Sequence, residues 1–299
     1  MMLRLLYALL LCSAFLSEPA VYAAGSDAGS GKGFIWKIQY NTATSYLLGS
    51  IHAMKKESYP LNSKIETAFD KSEVLVVEAD INNMGQNGLA ALMTEAFYSD
   101  SDSLDKHVSK ATFDAVMNEA DRLGMERSFF MVQKPWFIAI SLEAFLFWKM
   151  GFDPNYGVDK HFLDEAANKK QVLELENIDE QLALLSGLSD DEQDAFLNCT
   201  VKSAKNEEKM PDMLLASWNT GDAKRLESIM SADSESCPLP SSITDRLITK
   251  RNITMELKIE SMLKTGKSYF IVVGAGHLVG GDGIIELLEK KGYAVEQLQ

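Results

Sequence analysis

The sequence predicts an α/β domain in which a central, mostly parallel sheet is built from N- and C-terminal segments and a large helical portion lies between them. Three observations predict it. Val74-Leu-Val-Val77 is an unbroken apolar run set between Glu73 and Glu78, the pattern of a strand covered on both faces, as in parallel sheets. Tyr269-Phe-Ile-Val-Val273 repeats that pattern near the other end of the chain. From Gly85 to Met150 the apolar residues instead recur with helical spacing.

Met1 to Leu16 has a short basic start and an apolar core, and Val21-Tyr-Ala23 offers a small-x-small cleavage site. This reads as a secretory signal over residues 1–23, too short to span a bilayer. Lipidation at Cys12 is disfavoured by the bulky Leu11. Residues 24–33, rich in glycine, serine and alanine, read as a flexible linker, and residues 34–299 as one domain.

Phe34 to Tyr40 alternates apolar with polar, Asn41 to Thr44 supplies a turn, and Ser45 to Gly49 returns as a second strand that ends at His52: a β-hairpin. A helix over Ser63–Lys71 delivers the chain into Glu73–Asp80, so strand, helix and strand form a βαβ unit. Leu89, Leu92, Met93, Ala96 and Phe97 share one helical face, and Phe113, Val116, Met117 and Ala120 another. Pro135 to Trp148 is the most apolar stretch of the mature chain, interrupted by Glu143. It suits a core helix and falls short of the ~20 residues a membrane span needs. After the turn cluster Gly151–Gly157 come a helix over Val158–Asn168 and a strand over Lys170–Glu176. Helices follow to Thr265, the longest over Pro240–Lys264 with Ile243, Leu247, Ile248 and Met255 inward. The chain closes with a strand over Tyr269–Val273, a glycine-rich turn, a helix over Gly283–Lys291 and a strand over Tyr293–Gln297, expected as a second βαβ unit.

A formal net charge of −14 argues against nucleic acid and anionic membrane as partners. The mature chain keeps two of the three cysteines, Cys199 and Cys237, which suit a single disulfide in an exported protein or, on the bland reading, two buried thiols. Neither sits in a glycine-rich turn or beside a histidine, which disfavours cysteine catalysis.

Two of the four histidines, His52 and His277, stand in the same Gly-x-x-His setting after an apolar strand. In open α/β sheets, groups that act on ligands gather beyond the carboxyl ends of the strands. Here those positions hold His52, Glu78 with Asp80 nearby, Glu176 and His277. Two imidazoles and one or two carboxylates are competent for a divalent ion, which lowers the pKa of bound water and leaves a spare carboxylate as general base. Each residue alone has a structural reading, as a hydrogen-bonded strand end or a salt-bridged boundary acid. Asp159, near a helix start, is a helix-terminal acid or a partner for a ligating histidine. His107 and His161 lie in polar helical contexts and read as surface residues. The run Val272 to Val279 imitates a dinucleotide fingerprint, but Val279 replaces its third glycine and too little chain follows. No His-Glu-x-x-His helix and no Gly-x-Ser-x-Gly elbow occur.

Together, Phe34-Ile-Trp-Lys-Ile, Tyr46-Leu-Leu-Gly-Ser-Ile-His52, Tyr59-Pro-Leu, Val76-Val-Glu-Ala-Asp80, Gly157-Val-Asp159, Arg251-Asn252 and Val273-Gly-Ala-Gly-His-Leu-Val-Gly280 resemble the TraB/PrgY/GumN family, collinearly over the mature chain. That family includes the animal Tiki proteins, metal-dependent proteases that trim Wnt ligands, and bacterial proteins linked to peptide pheromones or found among polysaccharide genes. The resemblance implies a hydrolase-like domain with His52, His277 and Glu78 as site groups. Arg251 and Asn252 match a further motif without a derived role. The expectation is an exported, periplasmic or secreted, metal-dependent hydrolase of peptides or proteins, soluble once its signal is removed. His52, His277 and Glu78 are expected to bind manganese, cobalt or zinc, with Glu78 as ligand or general base, and Asp159, Glu176, Arg251 and Asn252 to support substrate or ligands. A non-catalytic peptide-sequestering protein and an accessory of envelope polysaccharide assembly stay open as rivals.

Overall fold

The computed structural model describes residues 33–298 apart from residues 84, 100 and 205–208. The expected signal, and the linker except for residue 33, lie outside the described residues.

Strands β1 (Ile35–Tyr40) and β2 (Ala43–Ser50) form the hairpin, turned by Asn41 at φ 51°, a left-handed conformation that asparagine tolerates. Helix α1 (Ser63–Lys71), capped by the Asn62 side chain, leads into β3 (Val74–Val77). The helical portion then runs through α2 (Gly85–Ala96), α3 (Lys110–Leu123), α4 (Arg127–Met131), α5 (Pro135–Lys149) and α6 (Val158–Ala166). Strand β4 (Gln171–Glu174) precedes α7 (Ile178–Ser186), α8 (Asp190–Ala204), α9 (Met210–Asn219) and α10 (Ala223–Ser236). The long helix expected over 240–264 is three consecutive pieces: α11 (Ser241–Thr244), a π-helical turn (Asp245–Thr249) and α12 (Lys250–Leu263). Strand β5 (Tyr269–Gly274), the short α13 (Ala275–Leu278), α14 (Ile284–Lys290) and β6 (Ala294–Gln297) close the chain.

The six strands lie in the order β4-β3-β5-β2-β1-β6. Contacts of β2 with β5, of β5 with β3 and of β3 with β4 are parallel; β1 runs against both β2 and β6. The sheet is therefore mostly parallel and drawn from both ends of the chain, with the helical portion between, as the sequence predicts. The βαβ units are more widely spread than expected. β5 enters between β2 and β3, and β6 crosses to the far edge to pair with β1, because the central slot suits the fully buried β5 and the half-exposed β6 suits an edge.

Two apolar clusters divide the molecule. One packs the sheet with Phe69, Phe162, Phe270, Met255 and Ile259. The other lies within the helical portion around Trp136, Ile140, Leu185, Phe196 and Leu247. The α11 to α12 rod joins them, since Leu247 belongs to the helical cluster and Met255, Ile259 and Leu263 to the sheet cluster. As expected, Trp136, Ile138 and Ile140 of α5 are core residues. No helix among the described residues is long and apolar enough to cross a membrane. Cys199 and Cys237 are joined as a disulfide, their Cα atoms 5.7 Å apart.

Candidate active site

The parallel register places the two Gly-x-x-His turns side by side. Gly49 pairs with Val273 and Ser50 with Gly274, so His52 and His277 leave neighbouring strands at the same sheet edge. Gly49 is required there. A Cβ on it would lie 2.4 Å from a ring carbon of Phe34 and 3.1 Å from the Cα of Ala275, where α13 begins.

Glu78 and Glu176 are set next to each other by the same logic. The pairing of β3 with β4 continues one step past the strands, with Leu175 N–H donating to the Val77 carbonyl at 2.9 Å and Glu176 N–H to that of Glu78 at 2.7 Å. Two buried carboxylates held together repel unless a cation joins them. Arg251, in the first turn of α12, is that cation. Its Nε–H donates to Glu176 at 2.8 Å, and Nη2 donates to Glu176 Oε2 at 2.6 Å and to Glu78 Oε2 at 3.0 Å. Nη1 donates to the Leu247 carbonyl at 3.3 Å and to His277 Nε2 at 2.9 Å. Leu247 belongs to the π-helical turn, so the irregular turn and the arginine that follows it are in contact.

Asn252, the next residue, fixes the other histidine nitrogen. His277 Nδ1 lies 2.6 Å from Asn252 Oδ1, and Asn252 Nδ2 donates to the Asp282 carbonyl at 2.8 Å. The arginine can only donate, so Nε2 accepts and Nδ1 carries the proton: His277 is a neutral imidazole. Burial and then the adjacent Arg251 charge hold its pKa well below the ordinary imidazole value.

His52 is built differently. Its Nδ1 lies 2.6 Å from Asp159 Oδ2 with both side chains 5 % exposed. Gly157 makes this possible by close backbone approach: a Cβ there would lie 2.3 Å from the His52 carbonyl oxygen, and Val158 N–H donates to the Ile51 carbonyl at 3.0 Å. With Nδ1–H directed at Asp159, His52 Nε2 is buried and makes no hydrogen bond to any described residue. Burial lowers the pKa of His52, but the charge and hydrogen bond of Asp159, with help from Glu78, outweigh it and raise it overall. Burial raises Glu78, partly opposed by Arg251 and His52. Within one site, then, His52 and Glu78 are shifted upward while His277 is shifted downward.

The structure thus brings together His52, Glu78, Asp159, Glu176, Arg251, Asn252 and His277. Asp80 stays outside, where its Oδ1 accepts from Asn82 N–H and its own N–H donates to Glu174. His107 is half-buried between Asp102 and Asp190. His161, expected at the surface, is buried with 6 % exposed, bonded through Nε2 to Glu66 at 3.1 Å and packed on Tyr59. Its sequence neighbours are polar, but at three residues from Val158 and one from Phe162 it shares their inward face. Two contributors escaped the sequence reading. Gln181, whose Nε2 donates to Glu176 Oε2 at 3.1 Å, is positioned by the capping box of Asn177 and Glu180, a visible signal. Ser50 lies within the first Gly-x-x-His turn; its Oγ is buried and bonds no described residue.

The TraB/PrgY/gumN family model matches residues 34–297. The chain is 28% identical over 254 residues to the uncharacterized protein YbaP of Escherichia coli (strain K12), covering 81% of this chain and 87% of that one. It is 28% identical over 166 residues to the metalloprotease TIKI1 of Danio rerio, covering 46% of this chain and 33% of that one. With the metalloprotease TIKI1 of Homo sapiens it shares 26% identity over 163 residues, 45% of this chain and 32% of that one. No solved structure matches.

Proposed function

The chain belongs to the TraB/PrgY/gumN family, and from that premise we infer that it is an exported hydrolase acting on peptides or proteins. The observation that carries the reading is His52: a buried imidazole oriented at Nδ1 by Asp159 and open at Nε2, beside a carboxyl group whose pKa is raised. An oriented imidazole with one open nitrogen takes or gives a proton at that atom. Glu78, next to it, is the second proton-transfer group. Asn252 and Arg251 hold His277 neutral, and Glu176 with Gln181 holds Arg251.

The name carried by the TIKI relatives makes a divalent ion, manganese, cobalt or zinc, the first cofactor to test. As arranged, the residues do not fit it. Among the described residues no three histidine, cysteine or acidic groups are placed to hold a metal. Of the expected ligands only His52 has a side-chain atom that could ligate and that bonds no described residue. His277 Nε2 faces Arg251, and the Glu78 oxygens accept from Arg251 and from Gly274 N–H, the latter at 2.5 Å. The reading therefore rests on the proton-transfer groups.

The test is digestion of a peptide library by purified protein, read by mass spectrometry, with chelator and with each ion added. We expect cleavage by the wild type and its loss in His52→Ala. Peptide capture with no product under any condition would move the reading to sequestration.

A further inference from the structure

We propose that Arg251 is the resident cation of this pocket, and that its guanidinium and a divalent ion are mutually exclusive occupants of the space among Glu78, His277 and Glu176. The proposal rests on reading this cluster as the reactive site.

Two features argue for it. The first is saturation, since all the N–H directions of Arg251 are engaged: Nε and Nη2 on Glu176, Nη2 on Glu78, Nη1 on Leu247 O and His277 Nε2. Such a guanidinium takes the one lone pair of His277 Nε2 and lies against a Glu78 oxygen, positions a metal would need. The second is burial. Arg251, Glu78, Glu176 and His277 are 4 %, 1 %, 8 % and 0 % exposed, so neither carboxylate can turn to bulk solvent for compensation. Withdrawal of Arg251 leaves the buried Glu78 and Glu176 adjacent without their counter-charge, which must be answered by a proton or by another cation. Entry of a divalent ion among these groups therefore requires the guanidinium to leave. As described, the site is closed to such an ion by its own side chain.

The experiment is titration of purified protein with Mn²⁺, Co²⁺ or Zn²⁺ alone, followed by calorimetry and thermal unfolding, on the wild type and Arg251→Met. Methionine keeps much of the side-chain volume and removes the charge. We expect Arg251→Met to bind an ion on the order of 100-fold more tightly than the wild type, the scale set by losing a competing buried charge pair. The ion should also raise its unfolding temperature well beyond any effect on the wild type. Adding His277→Ala to Arg251→Met should abolish the gain. If Arg251→Met does not fold, the double variant Arg251→Met, Glu176→Gln relieves one unpaired carboxylate while keeping His52, Glu78 and His277, and the same gain is expected. Equal or tighter binding by the wild type overturns the proposal, as does absence of binding in a folded variant. These readouts need no turnover: a metal gain without hydrolysis keeps the proposal and defeats the hydrolase reading, and hydrolysis without the gain does the reverse.

Discussion

His277 and Arg251 share a hydrogen bond of 2.9 Å that occupies the one ring nitrogen His277 has not committed to Asn252. The imidazole is thereby held in a single tautomer by two consecutive residues of one helix. Asn252→Ala removes one of the two holds and also the donor to the Asp282 carbonyl. We expect a loss of about 1–3 kcal/mol in denaturant unfolding, the cost of leaving buried groups unsatisfied. Long-range ¹H–¹⁵N spectra should show His277 losing its single tautomer; an unchanged tautomer would show that Asn252 does not set it.

The two site histidines are expected to respond to pH in opposite senses. An exposed imidazole titrates near about 6.5. His277, lowered by burial and Arg251, refuses the proton that the unfolded chain accepts, so its contribution to stability is present above that pH and is lost as pH falls below it. For His52 burial acts downward, but Asp159 prevails and its folded value is raised. Its contribution is complete below about 6.5 and is lost as pH rises through the folded value. Histidine NMR titration checks both, and an ordinary midpoint for His277 would contradict its assigned bonding.

Asp159→Asn keeps the size of the side chain and removes its charge. On the proposed chemistry, peptide hydrolysis should fall about 10²-fold or more, the usual worth of an oriented proton-transfer group. The His52 titration should move downward in the same protein. Retention of full hydrolysis alongside a displaced His52 titration would remove His52 from the reaction.

Gly157→Ala places a methyl group against the His52 carbonyl oxygen, at 2.3 Å before any adjustment. The neighbour is backbone and cannot swing aside, so a destabilisation of about 1–3 kcal/mol or more is expected. Thermal unfolding measures it, and an unchanged midpoint would mean that the two segments are less closely apposed than described.

Breaking the cross-link between Cys199 and Cys237, 38 residues apart, should cost at most about 4 kcal/mol by loop-closure entropy. Cys237→Ser compared with wild type, each with and without reductant, tests this. Reductant should lower the midpoint of the wild type alone.

Much of this arrangement is legible in the chain because local patterns carry it. The apolar runs at Val74–Val77 and Tyr269–Val273 mark buried parallel strands, and whatever follows such strands gathers at one edge, which is why His52, Glu78, Glu176 and His277 could be placed together. What local pattern does not carry is strand order. Nothing near Tyr269 says that β5 enters between β2 and β3, and nothing near Ala294 says that β6 crosses to β1. Nor does the sequence reveal whether Arg251 points at an acid, a histidine or solvent, because that depends on where a helix arriving from the helical cluster meets the sheet. His161 was misplaced for a related reason, its burial being decided by a helix face and not by adjacent residues.

The central position of β5 also fixes when the site comes into being. Gly274 and Glu78, which bond to each other, stand 196 residues apart. Until the late strand slips into its slot, Glu78 lacks its backbone donor, His52 lacks its counterpart turn and Glu176 lies along an unfinished sheet. A chain whose last central strand is not yet placed thus carries every residue of the candidate site and no assembled site. The site arrives with the closing of the sheet, so its groups cannot all meet before the central slot is filled.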